Sequence, residues 1–89
     1  MTIADLLEKR EKGIFKDDKV LKCDLIALDA KDGKILFDTS RNKSELINGY
    51  SNGEVLSLWA DCKLHRGIYG DSFVPIMKCY VSHNSWERG

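Results

Sequence analysis

The sequence has no excess charge of either sign, no Cys-x-x-Cys pair, no glycine-rich nucleotide loop, one proline and no long apolar run. Each absence removes a class of function. Lys+Arg and Asp+Glu number 14 each, and the signs alternate along the chain, with five of each in residues 1–19. Binding a phosphate backbone needs clustered positive charge, so a nucleic-acid partner is not expected, and an acidic mimic of DNA still less. No stretch approaches the roughly 18 apolar residues of a membrane span. Met1-Thr2-Ile3-Ala4-Asp5 lacks a basic region leading into an apolar run, so no signal peptide is expected. Cys23, Cys62 and Cys79 are odd in number, which fits reduced thiols better than a disulfide framework. These features point to a soluble, cytoplasmic chain.

What is present is a globular pattern. With 43% hydrophobic and 31% charged residues in 89, the chain is too apolar for disorder and sized for one domain spanning 1–89 with one modest core. Residues 2–12 predict a helix. Thr2 and Asp5 have capping-box spacing, and Ile3, Leu6 and Leu7 form one apolar stripe closed by Gly13, after which Ile14 and Phe15 return to the core. Residues 19–29 read as a strand, Lys31-Asp32-Gly33 as a turn and 34–39 as the return strand. A three-residue loop with Gly33 as a bulge pairs Ala27 with Phe37 and Asp29 with Ile35. Asn42-Lys43-Ser44-Glu45 resembles a second capping box opening a short helix over 43–48 that ends at Gly49. Tyr50–Gly53 is a turn. Residues 54–64 alternate most clearly, 65–72 read as a glycine-punctuated connection, and 73–82 form the last strand, with Pro75 implying an edge or a bulge. The tail 83–89 contains Trp86 and little else that would order it, which leaves it open to disorder. The expected fold is α+β: a four-stranded antiparallel sheet from two hairpins, the N-terminal helix on one face and a short helical crossover, in the order α-β-β-α-β-β.

That sheet has apolar residues on both faces. Leu21, Cys23, Leu25, Ala27, Ile35, Phe37, Leu56, Leu58, Ala60, Cys62 and Leu64 share one parity, which the first helix would cover. Val20, Ile26, Leu28, Leu36, Val55 and Trp59 share the other. The last strand is apolar on both, with Phe73, Met77, Cys79 and Val81 against Val74, Ile76 and Tyr80. Either the second face is covered internally, or it is a contact surface, since contiguous exposed apolar patches beyond a few hundred Å² usually mark interfaces.

Catalytic constellations are weak. Cys23, Cys62, Cys79, His65 and His83 are zinc-ligand types, but only Cys62-x-x-His65 is closely spaced, and the alternation places the cysteines on apolar faces as buried thiols. No cysteine opens a helix or follows a glycine elbow. Asp17-Asp18 reads as a solvated pair, and Asp29 with Asp32 as turn carboxylates. No catalytic residue, cofactor or metal is assigned. The connection 65–72, with His65, Arg66, Tyr69 and Asp71, is a candidate binding loop, because tyrosine and arginine are favoured interface anchors.

Thr2-Ile3-Ala4-Asp5-Leu6-Leu7-Glu8, Leu21-Lys22-Cys23-Asp24-Leu25, Asp32-Gly33-Lys34-Ile35-Leu36-Phe37, Glu45-Leu46-Ile47-Asn48-Gly49-Tyr50 and Glu54-Val55-Leu56-Ser57-Leu58 together span residues 2–58, about two-thirds of the chain. This arrangement resembles small accessory proteins of phages and mobile elements of low-GC Gram-positive bacteria. Some phage proteins of this size inhibit host defence systems by binding them, so the resemblance implies a binding protein. Its motifs are structural, and no site residue carries over.

The resulting expectation is a non-enzymatic protein–protein interaction module, an accessory protein that could act as an inhibitor of a host system. Its candidate contact residues are Val55, Trp59, Ile76, Tyr80, Arg66 and Tyr69, with homodimer formation through the second sheet face as one form of it. The alternatives are a metal- or thiol-dependent module using Cys62, His65 and Cys79, completed by Cys23 or His83, and a weak nucleic-acid binder using Lys63, Arg66 and Lys78.

Overall fold

The structure, a computed structural model, describes residues 1–12 and 23–87. Its elements are α1 (Ile3–Lys12), β1 (Asp24–Asp29), β2 (Ile35–Asp38), α2 (Ser44–Asn48), β3 (Val55–Gly67) and β4 (Gly70–Val81), followed by a 3-10 turn at Ser85–Glu87. The α+β class and the element order are those the sequence predicts. Gly13, Ile14, Phe15 and the first residues of the expected first strand, Lys19 to Lys22, lie outside the described residues.

α1 begins as its sequence predicts. The Thr2 amide donates to Asp5 Oδ2 at 3.1 Å and the Asp5 amide to Thr2 Oγ1 at 3.3 Å, which satisfies two otherwise orphaned donors reciprocally. Ile3 and Leu6 are fully buried and Leu7 packs beside them. They meet Leu25, Ala27, Phe37, Ile47, Cys79 and Val81, and this cluster is the core.

The sheet departs from expectation. Its strand order is β2-β1-β4-β3, with β1 parallel to β4, so it is mixed rather than wholly antiparallel. Both hairpins form, but they join through β1 and β4. These are the strands with apolar residues at both parities, and such strands belong at the centre of a sheet, flanked on each side. β2 takes one edge and β3 the other.

Two bulges redistribute the faces. Ala27 pairs with Phe37 as expected, but the register then shifts so that Leu28, not Asp29, opposes Ile35. Gly33 closes the turn at φ +73, a conformation that costs glycine little. In β3, Val55 opposes Val81 while Ser57 opposes Tyr80, which leaves Leu56 as the extra residue. An inserted residue reverses the alternation. Leu36 and Val55 therefore pack against the core, whereas Ile35 is 63% and Leu56 56% exposed.

Three local expectations also change. The Asn42 side chain does not cap α2: its Oδ1 accepts the Asp38 amide at 2.8 Å, and Lys43 precedes the helix without a side-chain cap. The tail is ordered through Glu87, because Trp86 packs against the core with its ring 5.2 Å from that of Tyr50. The connection 65–72 is not a loop. β3 and β4 stay paired up to Gly67 opposite Gly70, and only Ile68 and Tyr69 turn the chain.

Gly53 sits in the wall of the core. A Cβ there would lie 2.8 Å from Val81 Cγ1, 3.0 Å from the Tyr50 carbonyl oxygen and 3.2 Å from Ile3 Cγ1. Gly53→Ala is expected to cost about 1–3 kcal/mol through overpacking, read from the urea midpoint. A loss below about 0.5 kcal/mol would mean that this wall yields.

Two buried carboxylates make stability depend on acid. The Lys31 amide, 2.8 Å from Asp29 Oδ1, lowers that carboxyl against the opposing effect of burial, and His83 Nδ1, 2.7 Å from Oδ2, lowers it further. At Asp38, burial works to raise the carboxyl, but the Ser40 hydroxyl and amide, at 2.6 and 2.9 Å, outweigh it. Both groups bind a proton less readily folded than unfolded. Their contribution is full above the ordinary value of 3.8 and is lost as pH falls through their lower folded values. Asp29→Asn should flatten the fall in melting temperature below that pH. An unchanged slope would remove Asp29 from the explanation.

Candidate functional site

The described surface is dominated by strands that outrun their neighbours. β4 pairs with β1 only over Ile76–Val81. Among the described residues, no further strand lies beside residues 70–75 of β4 and 62–67 of β3, which form a two-stranded arm. Six residues of strand extend about 20 Å, and the molecule's longest dimension is 46 Å against 28 and 23 Å. Every residue from 60 to 75 is exposed.

Cross-strand partners share a face, so the register defines the arm's two surfaces. Leu58 opposes Cys79 in the core. Ala60 opposes Met77, Cys62 opposes Pro75 and Leu64 opposes Phe73 on the same face further out. The core-side stripe therefore continues along the arm after the core has ended. Leu64 is 43% and Phe73 73% exposed. The ten residues of α1 span only about 15 Å, too short to follow β3 and β4 outward. This corrects the expectation that the first helix covers Ala60, Cys62 and Leu64, and that Cys62 is a buried thiol. The other face of the arm is more polar, with Lys63 opposite Val74 and His65 opposite Ser72. At the tip, Ile68 and Tyr69 are almost wholly solvent-exposed, and Gly70 at φ +126 completes the turn.

Pro75 occupies the first β4 position beyond the stretch paired with β1, where its missing N–H removes no bond to that strand. Arg66 sits directly opposite Asp71 at the far end, and Lys78 Nζ is 3.1 Å from Asp61 Oδ2. The Cys62 amide leads, and Lys78 adds, in holding the Asp61 carboxyl below its ordinary value. The cations of a nucleic-acid reading, Lys63, Arg66 and Lys78, are thus interleaved with carboxylates rather than gathered in a stripe.

The residues singled out from the sequence fall in three places. Trp59 and Tyr80 come together on the outer face of the sheet, their rings 5.1 Å apart. Ile76 lies on that face but is only 4% exposed, and Val55 packs against the core on the opposite side. Arg66 and Tyr69 stand at the end of the arm. Sequence reasoning missed Leu64 and Phe73 as surface residues, together with Ile68. The available signal was the apolar pair Ile68-Tyr69 between two glycines, which fits a hairpin tip as well as a loose connection.

The ligand set of the metal reading is dispersed. Cys79 lies in the core, where burial pushes its thiol up to about 11. Cys62 is exposed on the arm, and His83 is taken by Asp29. No three His, Cys, Asp or Glu side chains among the described residues group as a metal site. No helix among them is long and apolar enough to cross a membrane. Comparison with protein-family models, with curated proteins and with solved structures finds no match.

The thiols are expected to separate by reactivity. A maleimide should label Cys62 rapidly in the folded, reduced protein and reach Cys79 only on unfolding. Equal labelling rates under native conditions, resolved by mass spectrometry of peptides, would contradict this placement.

Proposed function

We propose that the protein is a non-enzymatic interaction module that binds a protein partner through its projecting arm. One observation carries this reading: the core-side apolar stripe continues through Ala60, Cys62, Leu64, Phe73 and Pro75 onto a ribbon whose residues are all exposed. A two-stranded hairpin is marginal in water and gains order by packing its apolar face. The tip adds Ile68 and Tyr69, apolar knobs where hairpin turns usually carry Asn, Asp or Gly. The interleaved charges favour a protein surface over a phosphate backbone. The resemblance to phage and mobile-element accessory proteins agrees in kind, since it implies binding without a catalytic motif.

The test is a photo-crosslinking amino acid at position 69, compared with one at position 31 in the distant β1–β2 turn. Position 69 should give discrete protein adducts in the native host, and position 31 should not. If irradiation at 69 yields no protein adduct above the level at 31, the arm is not a protein-binding element.

A further inference from the structure

The C-terminal turn closes the core at the end of the sheet away from the arm, where Asp29 pairs with Val81. The Ser82 amide donates to the Glu54 carbonyl at 2.9 Å, and the Ser85 hydroxyl accepts the Glu54 amide at 2.8 Å. Asn84 takes a left-handed conformation at φ 57, which asparagine tolerates better than most residues, and Trp86 comes back onto the Tyr50 ring. A further tie is His83, whose Nδ1 lies 2.7 Å from Asp29 Oδ2. An ionised carboxylate only accepts hydrogen bonds, so Nδ1 carries a proton whether the ring is neutral or charged. The His83 side chain is 40% exposed and the Asp29 side chain 7%. The imidazole therefore trades protons with water, while the carboxylate depends on its protein partners.

We propose that His83 and Asp29 form a pH-sensitive clasp, which holds residues 82–87 closed over Tyr50 when the imidazole is charged and lets them open more often when it is neutral. The clasp lies apart from the arm and does not depend on the interaction reading. Histidine changes charge between about pH 5 and 8. The Asp29 carboxyl, held below its ordinary value of 3.8, stays ionised through that range. Loss of the imidazole charge thus converts a charge-assisted bond into an ordinary one, about half as strong. The clasp is tight at the acid end of the range and weakens as pH rises. The charged groups on the surrounding elements are Asp29 of β1, Lys31, Asp32 and Lys34 of the turn after it, Glu54 before β3 and Glu87 in the 3-10 turn. Among the described residues, Asp29 is the one within hydrogen-bond distance of the ring. Lys31 acts on the same carboxylate, and Asp32 and Lys34 pair with each other at 3.9 Å. The His83 ring also stands edge-on to Trp86, 6.2 Å between centroids at 85°, so the residue that takes up the proton adjoins the one that covers the core.

The test is amide hydrogen exchange of the full chain, followed by NMR at about pH 5.5 and about pH 8 and corrected for intrinsic rates. Protection of the Ser82 and Glu54 amides should fall about fivefold from the lower pH to the higher, while the Ala27 amide in the central strand β1 keeps its own. The fall should vanish in His83→Gln and in Asp29→Asn, each of which leaves a hydrogen-bonding group in place without the charge pair. Unchanged protection of Ser82 and Glu54 in the wild-type chain would overturn the clasp, and this holds even if a variant fails to fold. A fall that persists in either variant would place the titrating group elsewhere and overturn it as well. So would a fall that Ala27 shares, because the opening would then be that of the whole fold.

Discussion

The parallel pairing of Asp24–Asp29 with Ile76–Val81 is the constraint on which the rest of the molecule depends. It makes β1 and β4 central and sends both hairpins outward from that seam. It aligns Leu25 with Met77, Ala27 with Cys79 and Asp29 with Val81, and so builds the floor on which Ile3 and Leu6 rest. It also sets where the core stops. β1 begins at Asp24, opposite Ile76, and among the described residues nothing beyond that row has a third strand beside it.

A small core follows from the same limit. One ten-residue helix and one five-residue helix cover a floor only a few residues deep. The closure is completed by aromatic contacts from either side of β3: Tyr50 lies 5.8 Å from Phe37 and 5.2 Å from Trp86. The Ser85 hydroxyl accepts the Glu54 amide at 2.8 Å, and the His83 ring meets Asp29 across the end of the sheet. The C-terminal turn thus belongs to the core wall.

Local features were legible in the sequence because they are decided by neighbours a few residues apart. The Thr2–Asp5 box, the stripe of Ile3, Leu6 and Leu7, the turn at Gly33 and the pairing of Ala27 with Phe37 are all of this kind. The neighbour relation of β1 and β4 was not legible, because alternation reports which face is buried and is silent on which strand lies alongside. The bulges at Leu36 and Leu56 defeated a strict period of two and moved Val55 from one face to the other. The arm was hidden for a related reason. Ala60, Cys62 and Leu64 alternate as core residues do, and a sequence does not show that the covering helix ends before it reaches them. Trp86 was placed in a tail because its partner Tyr50 lies far before it in the chain, a contact that no local pattern announces.

The two-residue turn at Ile68-Tyr69 bears on the order of assembly. β3 and β4 meet through the shortest loop in the chain, so their pairing closes at little entropic cost. The β1–β4 seam joins residues separated by the whole of β2, α2 and β3, and pairings of such separation form slowly. Both costs favour the long hairpin as the template onto which β1 docks. While β1 is absent, Cys79 and Val81 are as uncovered as Leu64 and Phe73, and the hairpin presents one unbroken apolar stripe from base to tip. Docking of β1 and α1 divides that stripe into a core and an arm, and this division separates the residues that hold the molecule together from those that stay exposed.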